Sequence, residues 1–156
     1  MLDDLFSQLR TASAPAEIEA LQQGIWQLWL ATGDAVLDKT LEAGMRDLQA
    51  GNYSAAITHF SQIILFMPEF AEAWNKRATA YYLRGDYRAS LADIAETLQR
   101  EPRHFGALWG QAGICEELGA LRPALHTTNR LAAICPCLPG LTERQFQLRE
   151  ALDKEK

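Results

Sequence analysis

Basic charge is scarce in this chain, and cysteine is scarcer. Fifteen Lys and Arg against 20 Asp and Glu give a net charge of −5 and a pI near 5.2. The basic residues that do occur, such as Arg84, Arg88, Arg100 and Arg103, are interleaved with acids. A nucleic-acid surface needs basic clusters to displace counterions, so nucleic acid is not an expected partner. The three cysteines, Cys115, Cys135 and Cys137, are too few and odd in number for a disulfide framework. Cys135-Pro136-Cys137 has the form of a metal or redox pair, but no histidine lies close in sequence to complete a ligand set. Small residues at a helix end and in a loop are the plainer reading.

Long apolar runs are missing too. None approaches the roughly 20 residues that span a bilayer, so no membrane insertion is expected. The start, Met1-Leu2-Asp3-Asp4, is acidic and lacks the basic and apolar regions of a secretion signal. That reading places the chain in the cytoplasm, or in the periplasm if a leader was removed ahead of this start. There is no phosphate-cradling glycine loop, nucleophile elbow or zinc-protease helix. The three histidines, His59, His104 and His126, fall on different elements without a shared ligand spacing, and read as surface or partly packed side chains. The expectation is therefore no enzyme, no cofactor and no metal.

What the chain has is a period. Gly51, Gly85 and Gly119 lie 34 residues apart, and so do Pro68, Pro102 and Pro136. Tyr53 aligns with Tyr87 and Leu121, Ala56 with Ser90 and Ala124, and Gly44 with Ala78 and Ala112. A fixed period of this size marks a stacked-repeat architecture. With 156 residues, 48% of them hydrophobic and 22% charged, the chain suits one domain with a continuous core.

Each repeat reads as two helices. In the second, helix A runs from Ala71 to Arg84, Gly85-Asp86 turns, and helix B runs from Tyr87 to Arg100. Glycine suits the left-handed conformation just past a helix end, and Pro102 stops helix B because it lacks an N–H and clashes with the preceding turn. The same punctuation gives Leu37–Ala50 with Tyr53–Phe66, and Phe105–Leu118 with Leu121–Ile134. Gly44, Ala78 and Ala112 in helix A meet Ala56, Ser90 and Ala124 in helix B, where small side chains let two helices approach.

These residues resemble the tetratricopeptide repeat (TPR) family. The nearest match is Ala71-Glu72-Ala73-Trp74-Asn75-Lys76-Arg77-Ala78, then Tyr81, Gly85-Asp86-Tyr87, Ser90, Ile94 and Pro102. Glu101 to Leu108 is also similar to small bacterial TPR proteins. The resemblance implies an all-α, right-handed solenoid, a TPR superhelix of helix-turn-helix repeats. Its divisions are an N-terminal helical hairpin cap at 1–36, TPR 1 at 37–70, TPR 2 at 71–104, TPR 3 at 105–138, and a C-terminal capping helix at 139–156. The hairpin, with stripes at Leu2, Leu5, Phe6, Leu9 and at Ile18, Leu21, Ile25, Leu28, Trp29, is expected to cover the first repeat's open face. In the final helix, Phe146 and Leu148 are expected to face inward. Arg77 and Gln111 stand where the family uses an apolar residue, and Asp47 where it uses an aromatic or leucine. Either these side chains reach the surface past thinner packing, or the stack is locally rotated.

The family's geometry puts helix A on the concave surface. There the resemblance assigns partner binding to Leu41, Met45, Asn75, Lys76, Thr79, Tyr82, Trp109, Gly113 and Glu116, with Tyr82 and Trp109 as anchors. The alternative for the same two rings is packing on neighbouring helices. The family's carboxylate clamp uses Lys, Asn and Arg; its matching positions hold Leu41, Met45, Lys76, Gly106 and Gly110, of which only Lys76 is basic. The implied function is a non-enzymatic interaction scaffold holding a protein or peptide segment, apolar to basic in character and not an acidic chaperone tail. The alternative is self-assembly into a homo-oligomer, with Trp26 and Trp29 of the hairpin as its interface if exposed; buried in the core is the commoner place for such tryptophans.

Overall fold

Residues 1–154 are described by a computed structural model; among them are nine α-helices and no strand. They are α1 (Leu2–Thr11), α2 (Pro15–Leu30), α3 (Ala35–Gln49), α4 (Tyr53–Phe66), α5 (Ala71–Leu83), α6 (Tyr87–Arg100), α7 (Phe105–Glu117), α8 (Leu121–Ile134) and α9 (Leu141–Lys154). The all-α expectation holds, and α4, α6 and α8 have the bounds that the spacing predicts. Helix α3 begins two residues earlier than expected, because the Asp34 carboxylate accepts from the Val36 and Leu37 N–H groups at 2.8 and 3.1 Å. Glu155 and Lys156, at the end of the expected capping region, lie outside the described residues.

The repeated glycines act as the sequence argument requires. At Gly85, φ is +85°. The Gly85 N–H donates to the Tyr82 carbonyl and the Asp86 N–H to the Tyr81 carbonyl, each at 2.9 Å. The same pair of bonds closes α3 after Gly51 and α7 after Gly119. This is the Schellman arrangement, which satisfies carbonyls that a helix end would otherwise leave unpaired. The residue before each repeat proline, Met67, Glu101 and Cys135, has φ between −133° and −138° with positive ψ. The following proline ring forbids the helical conformation there.

The chain divides into two compact units, Met1–Leu28 with Leu108–Lys156, and Trp29–Ala107. The second unit holds α3 to α6. Its core gathers Leu41, Ala56, Phe60, Ile63, Ala73 and Ala80. A Cβ on Gly44 would lie 2.6 Å from Phe60 Cε1, so the fully buried ring is the reason for that glycine. Between α5 and α6, the Ser90 hydroxyl donates to the Ala78 carbonyl at 2.8 Å, which lets a polar residue occupy the close contact.

In the first unit, Leu5 of α1 packs on Gly24 of α2, α1 also lies on α8, and α8 packs on α9. The hairpin was expected on the first repeat; the contact found for α1 is with helix B of the third. In the second unit, Trp29 takes the core place of its two alternatives: it is buried, its ring stacked on His104 with centroids 4.1 Å apart and against Phe105 at 5.1 Å. In α9, Leu141 and Leu148 are buried but Phe146 is 56% exposed. Residues two apart point to different faces of a helix, and Leu148, one full heptad from Leu141, takes the inward place.

The three departures from the family pattern have a common explanation. Arg77 and Gln111 are half-buried, and each is hydrogen-bonded to a side chain of the paired helix. Arg77 Nε and Nη2 donate to the two Asp93 carboxylate oxygens at 2.7 and 2.9 Å, and Nη1 donates to Ser61 Oγ at 2.9 Å. The Asp93 hydrogen bond raises the Arg77 pKa above its ordinary value, against the lowering effect of burial. One repeat later, the Thr127 hydroxyl donates to Gln111 Oε1 at 3.4 Å. Asp47 faces His59 at 3.3 Å. In each case a polar group on helix A meets a polar partner on helix B.

Candidate partner-binding surface

The residues expected to contact a partner fall in both units. In the second unit, α3 and α5 pack side by side. Leu41 belongs to the hydrophobic core and is 4% exposed, so it is not offered to a partner as expected; its face of α3 is turned onto Phe60 and Ile63. Asn75 is likewise buried, and its amide donates to Glu72 Oε1 at 3.2 Å. Met45, Lys76, Thr79 and Tyr82 are half-buried. The Tyr82 ring stacks on Tyr87 with centroids 5.6 Å apart, and the Thr79 hydroxyl donates to the Asn75 carbonyl at 3.0 Å.

Beneath this face lies a closed polar network that sequence reading missed. His104 is fully buried, not a surface residue, and its Nε2 lies 2.8 Å from Glu72 Oε2. The Ala107 N–H donates to His104 Nδ1 at 3.1 Å, so the proton of the neutral imidazole sits on Nε2 and is donated to the carboxylate. Lys76 Nζ completes the set at 3.2 Å from Glu72 Oε1. The one basic residue at a clamp position therefore already holds a carboxylate of its own chain. With both carboxylate oxygens occupied and no solvent access, the cluster fixes the junction of α5 with the segment leading into α7. No spacing rule could have found it, because Glu72 and His104 lie 32 residues apart.

In the first unit, Trp109, Gly113 and Glu116 line one side of α7 and share a single neighbour, Arg144 of α9. Arg144 Nε donates to Glu116 Oε1 at 2.6 Å, its guanidinium carbon lies 4.5 Å from the centre of the Trp109 ring, and Nη1 points at the Trp109 carbonyl at 3.4 Å. A Cβ on Gly113 would sit 3.3 Å from Nη2, so the missing side chain makes room for the guanidinium. The arrangement binds a planar cation by ring stacking and a charge-assisted hydrogen bond together. Gly113 was expected to admit a partner's backbone; the structure puts this chain's own arginine there.

Of the thiols, Cys135 is buried and Cys137 exposed. Burial, with Glu116 beside it, pushes the Cys115 thiol up, and burial with the neighbouring Cys137 pushes Cys135 up. Among the described residues no three His, Cys, Asp or Glu side chains come together as a metal would require. No described helix is long and apolar enough to cross a membrane.

Comparison with known proteins agrees with this architecture. No family model matches the chain. A TPR repeat-containing protein of Rhizobium etli is 33% identical over 151 residues, which cover 97% of this chain and 74% of the relative. The chain belongs to the tetratricopeptide-repeat family. Human tetratricopeptide repeat protein 36 is 39% identical over a shorter stretch, 39% of this chain and 33% of its own length. Among solved structures, the first TPR domain of Spaghetti (RPAP3), bound to the HSP90 peptide SRMEEVD, superposes with a TM-score of 0.71. It covers 75% of this chain and 93% of its own at 18% identity, which shows the shared TPR fold.

Proposed function

We propose that this TPR protein is a non-enzymatic interaction module that holds a segment of a partner protein on its helix A faces. In the second unit the contact residues are Met45, Lys76, Thr79 and Tyr82, with Leu41 and Asn75 as support beneath them. In the first unit they are Trp109, Gly113 and Glu116. The observation that carries this reading is the seat of Arg144 between the Trp109 ring and the Glu116 carboxylate. A partner segment of apolar and basic side chains would take this seat by displacing Arg144 from the Trp109 ring and the Glu116 carboxylate, with the same stacking and charge-assisted bonding.

The TPR domain of Spaghetti is bound to an acidic HSP90 peptide. Here the positions that would grip such a tail hold Leu41, Met45, Lys76, Gly106 and Gly110, and Lys76 is paired with Glu72. That argues against an acidic chaperone tail on these faces. The test is fluorescence anisotropy with a labelled peptide that alternates leucine and arginine. The Tyr82→Ala, Trp109→Ala double variant should bind it at least about tenfold more weakly, as loss of two aromatic anchors implies. Affinity unchanged in the double variant would move the contact elsewhere.

One observation favours self-assembly as a second reading. Val36, Leu65 and Phe66 are 72%, 78% and 72% exposed. Val36 and Phe66 border an apolar depression of about 450 Å³ that also takes in Leu37 and Met67. Exposed apolar patches of this kind mark association surfaces. Light scattering across concentrations decides it, since a strict monomer rules self-assembly out.

A further inference from the structure

We propose that Arg144 is a built-in competitor for the helix A face of the third repeat, and that the partner side chain it stands in for is an arginine. The proposal rests on the reading above, in which Trp109, Gly113 and Glu116 meet a partner segment. All the residues concerned lie within the first unit.

The seat is shaped for a guanidinium. The Trp109 ring offers a flat face whose centre lies 4.5 Å from the guanidinium carbon of Arg144, and the Glu116 carboxylate accepts from Nε. The absent side chain of Gly113 leaves the space into which Nη2 projects. A planar cation with donors along its edge uses all three features at once. A lysine ammonium is a compact, strongly hydrated charge. It would reach the carboxylate but leave the ring face and the Gly113 space unfilled.

Arg144 is held in a way that permits exchange, and Arg77 shows the contrast. Two of the bonds that Arg77 donates go to Asp93, whose side chain is only 6% exposed. Arg144 makes one short bond to a carboxylate, and the Glu116 side chain is 34% exposed. Its contact with the Trp109 carbonyl is long, at 3.4 Å. Ion pairs this open contribute little, because water and other cations compete for them. The Trp109 ring is itself exposed, so a second side chain reaches the seat from solvent. The buried side chains of α9 are Leu141 and Leu148, and α9 packs on α8. The guanidinium can therefore swing out while its helix stays in place.

The consequence is a threshold on binding. A seat filled by its own chain for about nine-tenths of the time lowers the apparent affinity for a competing ligand about tenfold. A partner must then bring contacts besides its arginine to displace Arg144.

The experiment is fluorescence anisotropy on the intact chain with a fluorescein-labelled peptide that alternates leucine and arginine, each variant being checked for native circular dichroism. Arg144→Ala should bind about tenfold more tightly than the parent, because the resident side chain is gone. A leucine–lysine peptide should gain much less from the same substitution, which controls for the added negative charge. Adding Glu116→Gln to Arg144→Ala should cancel the gain, which ties it to this seat. In the parent, the Arg144 Nε–H resonance should move toward the position of free arginine as the leucine–arginine peptide saturates the protein. Unchanged or weaker binding by Arg144→Ala overturns the proposal, as does an equal gain for the lysine peptide or an Arg144 resonance that stays put at saturation. The Tyr82→Ala, Trp109→Ala variant separates the two readings. If it weakens binding while Arg144→Ala changes nothing, the competitor fails alone; if neither the parent nor Arg144→Ala binds the peptide, both fail.

Discussion

Removing the carboxylate of Asp93 is the sharpest perturbation of the packing described here. Asp93→Ala deletes two charge-assisted hydrogen bonds, at 2.7 and 2.9 Å, from a guanidinium whose side chain is 17% exposed. Stranding a fully buried charge costs about 3–5 kcal/mol. Two things soften that figure in this protein. Arg77 keeps its bond to Ser61, and it lies over the Trp74 and Tyr81 rings at 5.0 and 5.8 Å, contacts of about 0.5–1 kcal/mol each. The expected loss is therefore about 2–3 kcal/mol, read as a shift in urea unfolding followed by circular dichroism. The double variant Arg77→Leu, Asp93→Leu should return to within about 1 kcal/mol of the parent, because apolar residues of similar volume replace a buried pair at little cost. Little of the single-variant loss should disappear in high salt, since buried pairs are weakly screened. A loss below about 1 kcal/mol for Asp93→Ala, or a double variant as unstable as the single, would refute the claim that this pair replaces an apolar contact in the core.

Other expectations follow from single contacts. Gly44→Ala should lower stability by about 1–3 kcal/mol, since its Cβ would meet the immobile Phe60 ring; unchanged thermal unfolding would contradict that packing. Trp29→Ala should cost about 3–4 kcal/mol by removing the ring stacked on His104, with no change in molecular mass by light scattering; a change in mass without loss of stability would return Trp29 to an interface. Under native conditions iodoacetamide should label Cys137 first. Cys115 and Cys135, whose pKa values are raised, carry less thiolate at neutral pH and should label more slowly until the protein is unfolded; mass spectrometry of the peptides distinguishes the order.

Helix boundaries were legible because glycine and proline act locally. The bonds that close α5 at Gly85 and the extended conformation forced on Glu101 by Pro102 each depend on a few adjacent residues. Contacts between helices were not legible in the same way. Arg77 could be seen to break the family pattern, but its partner Asp93 sits 16 residues away on another helix, and nothing local marks the two as a pair. His104 stands alone in the sequence because its partner Glu72 is nearly a full repeat away. Phe146 suits the inward face by apolar character alone, but helical spacing gives that face to Leu141 and Leu148. On α7, helical spacing alone groups Trp109, Gly113 and Glu116 on one side. It could not reveal that Arg144 would fill the space between them.

The most direct measurement of the central claim is a two-dimensional amide NMR titration of the intact chain with the leucine–arginine peptide. The account predicts that shifts concentrate at Met45, Thr79 and Tyr82 on α3 and α5, and at Trp109 and Glu116 on α7. Shifts confined to α8 and α9, or none at saturating peptide, would contradict it.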